Sequence, residues 1–338
     1  LSGEPWPALA AALVIVMGLV LYALSGGADY GGGVWDLLAW GPRAARQRDL
    51  IAHSIGPIWE ANHVWLILVI VVLFTGFPPA FARITTILHV PLLLMLLGIV
   101  ARGAAFSFRS YGRPEGEDQG YWGRVFAISS LVTPFLLGTV VGAIASGEMA
   151  AQPRSLAAFF VPWVGIFPFA VGLYALVMFA FLAAVYLCFE AEEPDLAEDF
   201  RGRALVSGVA LGVLAAAVLV AAGFRVPDLL HELTRTPWSW ALHAVTAASA
   251  LFTFWALWSR RYREARAGAA AQVALILAGW ALAQYPDLVR PDLTVATAAA
   301  PDRTLRLLLG ALVLGVIVLV PSFFYLFRVF GKLRRAGN

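Results

Sequence analysis

Apolar stretches long enough to cross a bilayer recur along almost the whole chain, and that recurrence decides what it can fold into. A bilayer core of roughly 30 Å takes about 20 helical residues to span. Lipid offers backbone N–H and C=O groups no partners, so each span must satisfy its own. On this measure about nine candidate spans can be read, near residues 7–28 (with a polar extension to about 40), 51–75, 80–104, 121–146, 160–188, 204–223, 240–259, 268–285 and 305–330. Composition agrees: 61% of the 338 residues are hydrophobic and 13% charged, with a mean hydropathy of +0.80. The expected fold class is all-α, a polytopic membrane protein. The first apolar stretch has no basic leader and is expected to be a retained span.

Charge placement gives an orientation. With the N-terminus outside, 17 of the 24 Lys and Arg residues fall in inside segments and 7 in outside segments, as the positive-inside rule requires. The tail ending at Asn338 is then expected in the cytoplasm. Trp6, Trp163, Trp238 and Trp240 lie near outer boundaries, where an aromatic belt belongs. The net charge of +3 gives no sign of a nucleic-acid partner, and one cysteine, Cys188, excludes an internal disulfide or a multi-cysteine metal site. The acidic run at 189–203 is expected as a cytoplasmic loop. It would divide an N-terminal helix bundle, 1–188, with a polar cluster around Asp29 and Glu60, from C-terminal helices at 204–338.

Ionisable residues inside spans are costly and mark ion or proton routes more often than in soluble proteins. The second span carries Ser54-Ile-Gly-Pro-Ile-Trp-Glu-Ala-Asn-His-Val-Trp-Leu66. At about 1.5 Å per residue, Glu60, His63 and, from the opposite face, His89 all come out near the midplane. Asp29 and Asp36 approach from the inner side, giving a ladder of acids. Buried carboxylates with shifted pKa can relay protons, so Asp29, Asp36, Glu60 and His63 are the candidate proton-pathway residues, with Trp59, Asn62 and His89 beside them. Glu60 has the alternative of anchoring a helix contact, and Asp36 that of a solvated interfacial acid. His63 and His89 are either hydrogen-bonded imidazoles or ligands of one haem. Arg102 and Arg109 stand where inner-face basic residues are expected regardless of function. The first span ends in Ser25-Gly-Gly-Ala-Asp-Tyr-Gly-Gly-Gly-Val-Trp-Asp36. Two readings are open there: a frayed helix end, or a tightly packed or locally broken helix that shows Asp29 to a water-filled cavity.

The second-span motif resembles the Ser-Ile-x-Pro-x-Trp-Asp-Gly-Asn-x-Val-Trp-Leu run of subunit II of the cytochrome bd-type (quinol) oxidases. Ala23-Leu-Ser-Gly-Gly-Ala-Asp-Tyr-Gly-Gly-Gly33 resembles that family's helix-one end, and the run from Tyr285-Pro-Asp-Leu through Pro291-Asp-Leu-Thr294 to Pro321 and Tyr325 its C-terminal part. There are departures: Gly26 stands at the first acid of helix one, Glu60 at an Asp, Ala61 at a Gly, and His63 where Gln or Glu is frequent.

The resemblance implies two four-helix bundles plus one helix, in a bacterial plasma membrane. It implies a heterodimer with a haem-bearing subunit I, and leaves room for a small accessory subunit. Haems b and d would sit in that partner. This chain would hold no catalytic residue, metal or haem, though some members bind a structural quinone. It would scaffold subunit I and conduct protons from the cytoplasm, through Glu60 and Asp29, for reduction of O₂ to water with electrons from quinol. The competing readings from the residues are a secondary transporter with a midplane acid and a membrane electron carrier holding haem through His63 and His89.

Overall fold

The computed structural model describes residues 6–111, 118–149 and 155–336. Within these, side chains at 55–61, 110–111, 118–119, 320 and 323–336 are not described. The helices, in chain order, are α1 (Trp6–Leu37), α2 (Ala44–Gly76), α3 (Pro78–Ile87), α4 (His89–Tyr111), α5 (Asp118–Ser146), α6 (Ile166–Glu190), α7 (Pro194–Arg225), α8 (Pro227–Arg235), α9 (Pro237–Trp258), α10 (Tyr262–Gln284) and α11 (Asp302–Ala336). A 3₁₀ turn at Leu156–Phe159 and a small hairpin of β1 (Asp287–Val289) and β2 (Leu293–Thr294) complete the fold. Among the described residues, seven helices are long and apolar enough to cross a membrane: α1, α4, α5, α6, α7, α9 and α10. Asn62–Gly76 and α3, which meet at 118°, make an eighth if taken as one span.

Two local readings are corrected. The acidic run at 189–203 is not a loop: only Ala191–Glu193 separates α6 from α7. Pro194 takes the first helical position and Asp195 lies in the first turn, both helix-starting features. The acids after it therefore project from a rigid helix. The sixth helix also starts later than residue 160, at Ile166 after Gly165. The segment before it is used by the 3₁₀ turn.

The glycine-rich end of the first span is an unbroken helix as far as Leu37. Intrinsic propensity opposes this, so packing must supply the stability. A Cβ at Gly31 would collide with the backbone carbonyl of Phe179 in α6, and one at Gly33 with the Ser130 hydroxyl in α5. Small residues let membrane helices approach this closely. Trp35 locks the contact by donating its indole N–H to the carbonyl of Ala180 at 2.7 Å.

Two large apolar cores divide along α1. The first half, with Ala8, Ala11 and Ile15, packs with Val72, Phe77, Leu88, Met149 and Leu305. The second half, with Tyr22, Tyr30 and Trp35, packs with Phe126, Phe179, Phe181, Phe200 and Leu257. The second core thus joins helices from both sides of the 189–203 stretch. Near the first core, Arg83 of α3 clamps the hairpin. It donates to both carboxylate oxygens of Asp292, at 3.1 and 3.2 Å, and to the carbonyl of Met149 at 3.2 Å.

Two outcomes follow from this packing. Gly31→Ala should destabilise the protein by about 1–3 kcal/mol or more, because backbone cannot move aside as a side chain can. Gly26→Ala, whose Cβ would meet only the Tyr22 ring at 3.5 Å, should be tolerated; thermal melts of the two variants provide the comparison. The hydrogen bonds from Arg83 hold Asp292 below the usual carboxylate range. A depressed folded-state pKa contributes stability above the unfolded value of about 3.9 that is lost as pH falls through the folded value. Proteolysis of the 285–300 region should therefore speed up below about pH 4, and Arg83→Gln should abolish that pH step.

Candidate functional site

The glycine face that brings α1 against α5 and α6 also buries Asp29, which is 1% exposed. Facing it is Arg102 of α4, 2% exposed. The guanidinium forks onto the carboxylate: Nη1 donates to Oδ2 at 2.8 Å and Nη2 to Oδ1 at 2.7 Å, with Nη2 also reaching the Asp29 carbonyl at 2.9 Å. Its remaining nitrogen, Nε, donates to the Ser130 hydroxyl at 2.9 Å, the group that Gly33 leaves room for. The charge also lies over the rings of Tyr30 and Phe126, at 4.9 and 4.6 Å. Asn62 of α2 adds a third side-chain donor, Nδ2 to Asp29 Oδ2 at 3.0 Å.

A second rung repeats the first two helical turns along. Arg109 pairs with Asp36 through Nη1–Oδ2 at 3.1 Å and Nη2–Oδ1 at 3.3 Å. The acids are seven residues apart on α1 and the arginines seven apart on α4, about 10.5 Å of rise on each helix. The two helices run parallel, joined at matching heights by two guanidinium–carboxylate pairs. Asp29 is therefore not an acid facing a water-filled cavity, and Asp36, 6% exposed, is not a solvated interfacial one. Both are counter-charges to arginines. Sequence reasoning attributed Arg102 and Arg109 to the positive-inside bias and missed their role. The usable signal was the shared seven-residue spacing.

The remaining candidates divide. Asn62 is at the pair, and His63 is half-buried one residue further on. The side chains of Trp59 and Glu60 lie outside the described residues, although the helix runs through them without interruption. Asn62 Oδ1 is buried and has no hydrogen-bond partner among the described residues. His89 does not join the cluster. The chain turns at Phe77 and α4 alone is 23 residues long, so His89 opens a full-length helix at its end instead of lying halfway along it. It precedes Arg102 by 13 residues, roughly 20 Å of helix. Its ring is exposed, with Nδ1 2.9 Å from the Thr86 carbonyl and an edge contact to Phe159. The midplane position and the shared haem with His63 are thereby corrected. Among the described residues no group of three or more His, Cys, Asp or Glu side chains could hold a metal ion.

A family model described as cytochrome bd terminal oxidase subunit II matches residues 7–330. The chain belongs to that family. A Bacillus subtilis protein assigned as a cytochrome bd menaquinol oxidase subunit II is 24% identical over 340 residues, 96% of each chain. The Escherichia coli K12 cytochrome bd-I ubiquinol oxidase subunit 2 is 29% identical over 135 residues, 40% of this chain and 35% of that one. The structure of bd oxidase from Geobacillus thermodenitrificans superposes with a TM-score of 0.80 at 20% identity, covering 96% of this chain and 99% of the other. That likeness establishes the shared fold. The family is one of respiratory terminal oxidases, and its membership makes this chain a membrane subunit of an oxidoreductase complex that includes a subunit I.

The buried pair yields a direct test. Removing one partner strands a charge inside the bundle, which costs roughly 3–5 kcal/mol. Arg102→Gln and Asp29→Asn should each lower the melting temperature or accumulation of the complex sharply. The double variant should be less damaged than the sum of the two, a coupling that a double-mutant cycle measures. Single variants as stable as the parent would show that the pair contributes nothing.

Proposed function

We propose that this chain is the haem-free subunit of a cytochrome bd-type terminal oxidase, and that it scaffolds the haem-bearing subunit I and conducts protons to the site of oxygen reduction. The electrons come from quinol on the outer side: two quinols release four electrons, which with four protons and one O₂ give two waters. The names of the relatives differ between menaquinol and ubiquinol, so the proposal stops at quinol. We place nine spans in the bacterial plasma membrane, with the N-terminus outside and the C-terminus in the cytoplasm, on the 17-to-7 split of basic residues.

The observation that carries the proton route is the Asn62–Asp29 hydrogen bond. It ties the acid-bearing motif of α2 to a fully bonded ion pair. Asp29 and Asp36 are paired with arginines, so they stand as counter-charges beside the route. Glu60 is the carrier, with His63 one turn along the same helix and Asn62 Oδ1 available as an acceptor for water. Exposed apolar faces support the partnership. Ile67, Ile70 and Phe74 on α2, Leu93, Leu97 and Val100 on α4, and Leu307 and Leu314 on α11 are all exposed, and such faces need lipid or another subunit.

Glu60→Gln keeps the shape of the side chain and removes the transferable proton. The assembled Gln variant should retain its haem spectrum and lose about a hundredfold or more of its oxygen consumption, the usual range for removing a proton-transfer group. Glu60→Asp should recover part of it. Oxygen consumption at the parental rate in a fully assembled Gln variant would make Glu60 structural and end the proton-route reading. A reporter fused at Asn338 that is active on the outer side would reverse the direction of proton entry.

A further inference from the structure

At the end of the bundle where α1 gives way to α2, a cavity of about 430 Å³ opens between that connection and α7. Trp35, Trp40, Arg43, Gln47, Asp199 and Arg203 line it. We propose that it binds the phosphodiester of an anionic phospholipid, whose acyl chains lie along α7.

The charge balance fits an anion. Asp199 is the sole acid of the lining, against Arg43 and Arg203. Its carboxylate is already occupied: Arg43 Nε and Gln47 Nε2 each donate to Oδ2 at 2.8 Å, and Arg43 Nη2 pairs with Oδ1. Arg203 Nη2 donates to Gln47 Oε1 at 2.8 Å, and its guanidinium lies over the rings of Trp35 and Phe200 at 5.4 and 5.0 Å, which hold the charge at the cavity wall. Arg203 thus adds positive charge to the wall, and arginine suits phosphate in geometry and charge.

The surroundings distinguish a lipid from a free phosphate. The cavity lies where α7 changes character. Residues 195–203 carry Asp195, Glu198, Asp199, Arg201 and Arg203, and no charged residue follows until Arg225. That boundary marks a headgroup layer. Trp40, 82% exposed, stands at the rim, the position amphipathic rings take at a membrane interface. From the cavity wall, Val206, Val209 and Val213 continue as one exposed stripe at helical spacing, along which an acyl chain can lie. Headgroup layers exist on both faces of a membrane, so the inference depends neither on the orientation of the chain nor on the proton route.

The test uses the assembled complex, with its haem spectrum as the check on integrity. The complex is placed in nanodiscs of phosphatidylcholine doped with phosphatidylglycerol, and retained lipid is counted by native mass spectrometry. The parent should hold one phosphatidylglycerol that Arg43→Gln/Arg203→Gln binds about tenfold or more weakly, the scale of one lost charged hydrogen bond. Trp40→Ala removes an exposed ring and should leave folding intact while weakening retention severalfold. Equal phosphatidylglycerol retention by the parent and both variants would overturn the proposal. So would equal retention of phosphatidylcholine, which would mark an unselective lipid surface. Release of the bound lipid by millimolar inorganic phosphate would likewise replace the lipid site with a site for the free anion.

Discussion

Everything at the centre of this molecule is arranged around one buried ion pair. Taking a carboxylate and a guanidinium out of water costs several kcal/mol each, and the cost is larger where a membrane surrounds the bundle. The pair between Asp29 and Arg102 is tolerable because each guanidinium nitrogen and each carboxylate oxygen has a partner. Both carboxylate oxygens accept from the fork, Asn62 adds a donor, Ser130 takes Nε, and two rings lie beside the cation. That geometry needs α1 to lie within reach of α4 while α5 and α6 crowd the same region. The glycines at 31 and 33 make the approach possible. A stretch that looks like a weak helix is therefore a strong helix–helix contact, and its purpose is to place a charge. The second rung at Asp36 and Arg109 fixes the axial register, since sliding α1 by one turn would break both pairs together.

The charged end of the bundle follows a similar logic in a wetter setting. Arg43 pairs with Asp199, Arg46 with Glu193, Arg260 and Arg201 with Glu198, and Arg266 with Glu190. Exposed pairs of this kind contribute little singly. Their joint effect is to tie the α1–α2, α6–α7 and α9–α10 connections to one helix start. The acids that looked like a solvated linker are the counter-surface for the basic loops. Basic residues placed there by topology acquire partners at no further topological cost.

The helices were legible in the sequence because lipid imposes one rule on every span, and long apolar runs satisfy it conspicuously. The family was legible because Ser54–Leu66 carries a specific order of polar residues on such a run. The site was legible only in part. Asp29, Asn62 and Glu60 stand out as polar residues at depth, but Arg102 and Arg109 were masked by a general bias that explains inner-face arginines without reference to any partner. Pairing between α1 and α4 is a tertiary fact, 73 residues apart in sequence, and hydropathy is blind to it. His89 was misplaced for another reason: its span was read as starting near residue 80, which counts the ten residues of α3 as part of it. α4 is by itself 23 residues long and begins at His89, enough to span without α3. The 189–203 loop was misjudged because charge density was read as solvation, when Pro194 and Asp195 were already helix-start signals.

A relay needs one group that changes charge beside others that do not. Two neighbouring acids that both titrate would couple, and the proton would settle on the pair instead of passing along it. On the proposed route Arg102 is the counter-charge to Asp29: both carboxylate oxygens accept from the guanidinium and Oδ2 also from Asn62. What remains near the motif is a dipole, rigidly held, with the Asn62 amide turned so that its nitrogen faces Asp29 and its oxygen faces away. On the proposed route that oxygen is an oriented acceptor for the next carrier of the proton. Replacing Asn62 by Asp would remove the donor to Asp29 and place a second acid beside it, whereas Asn62→Leu would remove donor and acceptor together without adding charge. If the amide acts through its orientation, the Leu variant should slow oxygen consumption in a complex that keeps its haems, and the Asp variant should shift the pH at which turnover falls. If it acts only as a strut for Asp29, both variants should lose stability and neither should move the pH profile.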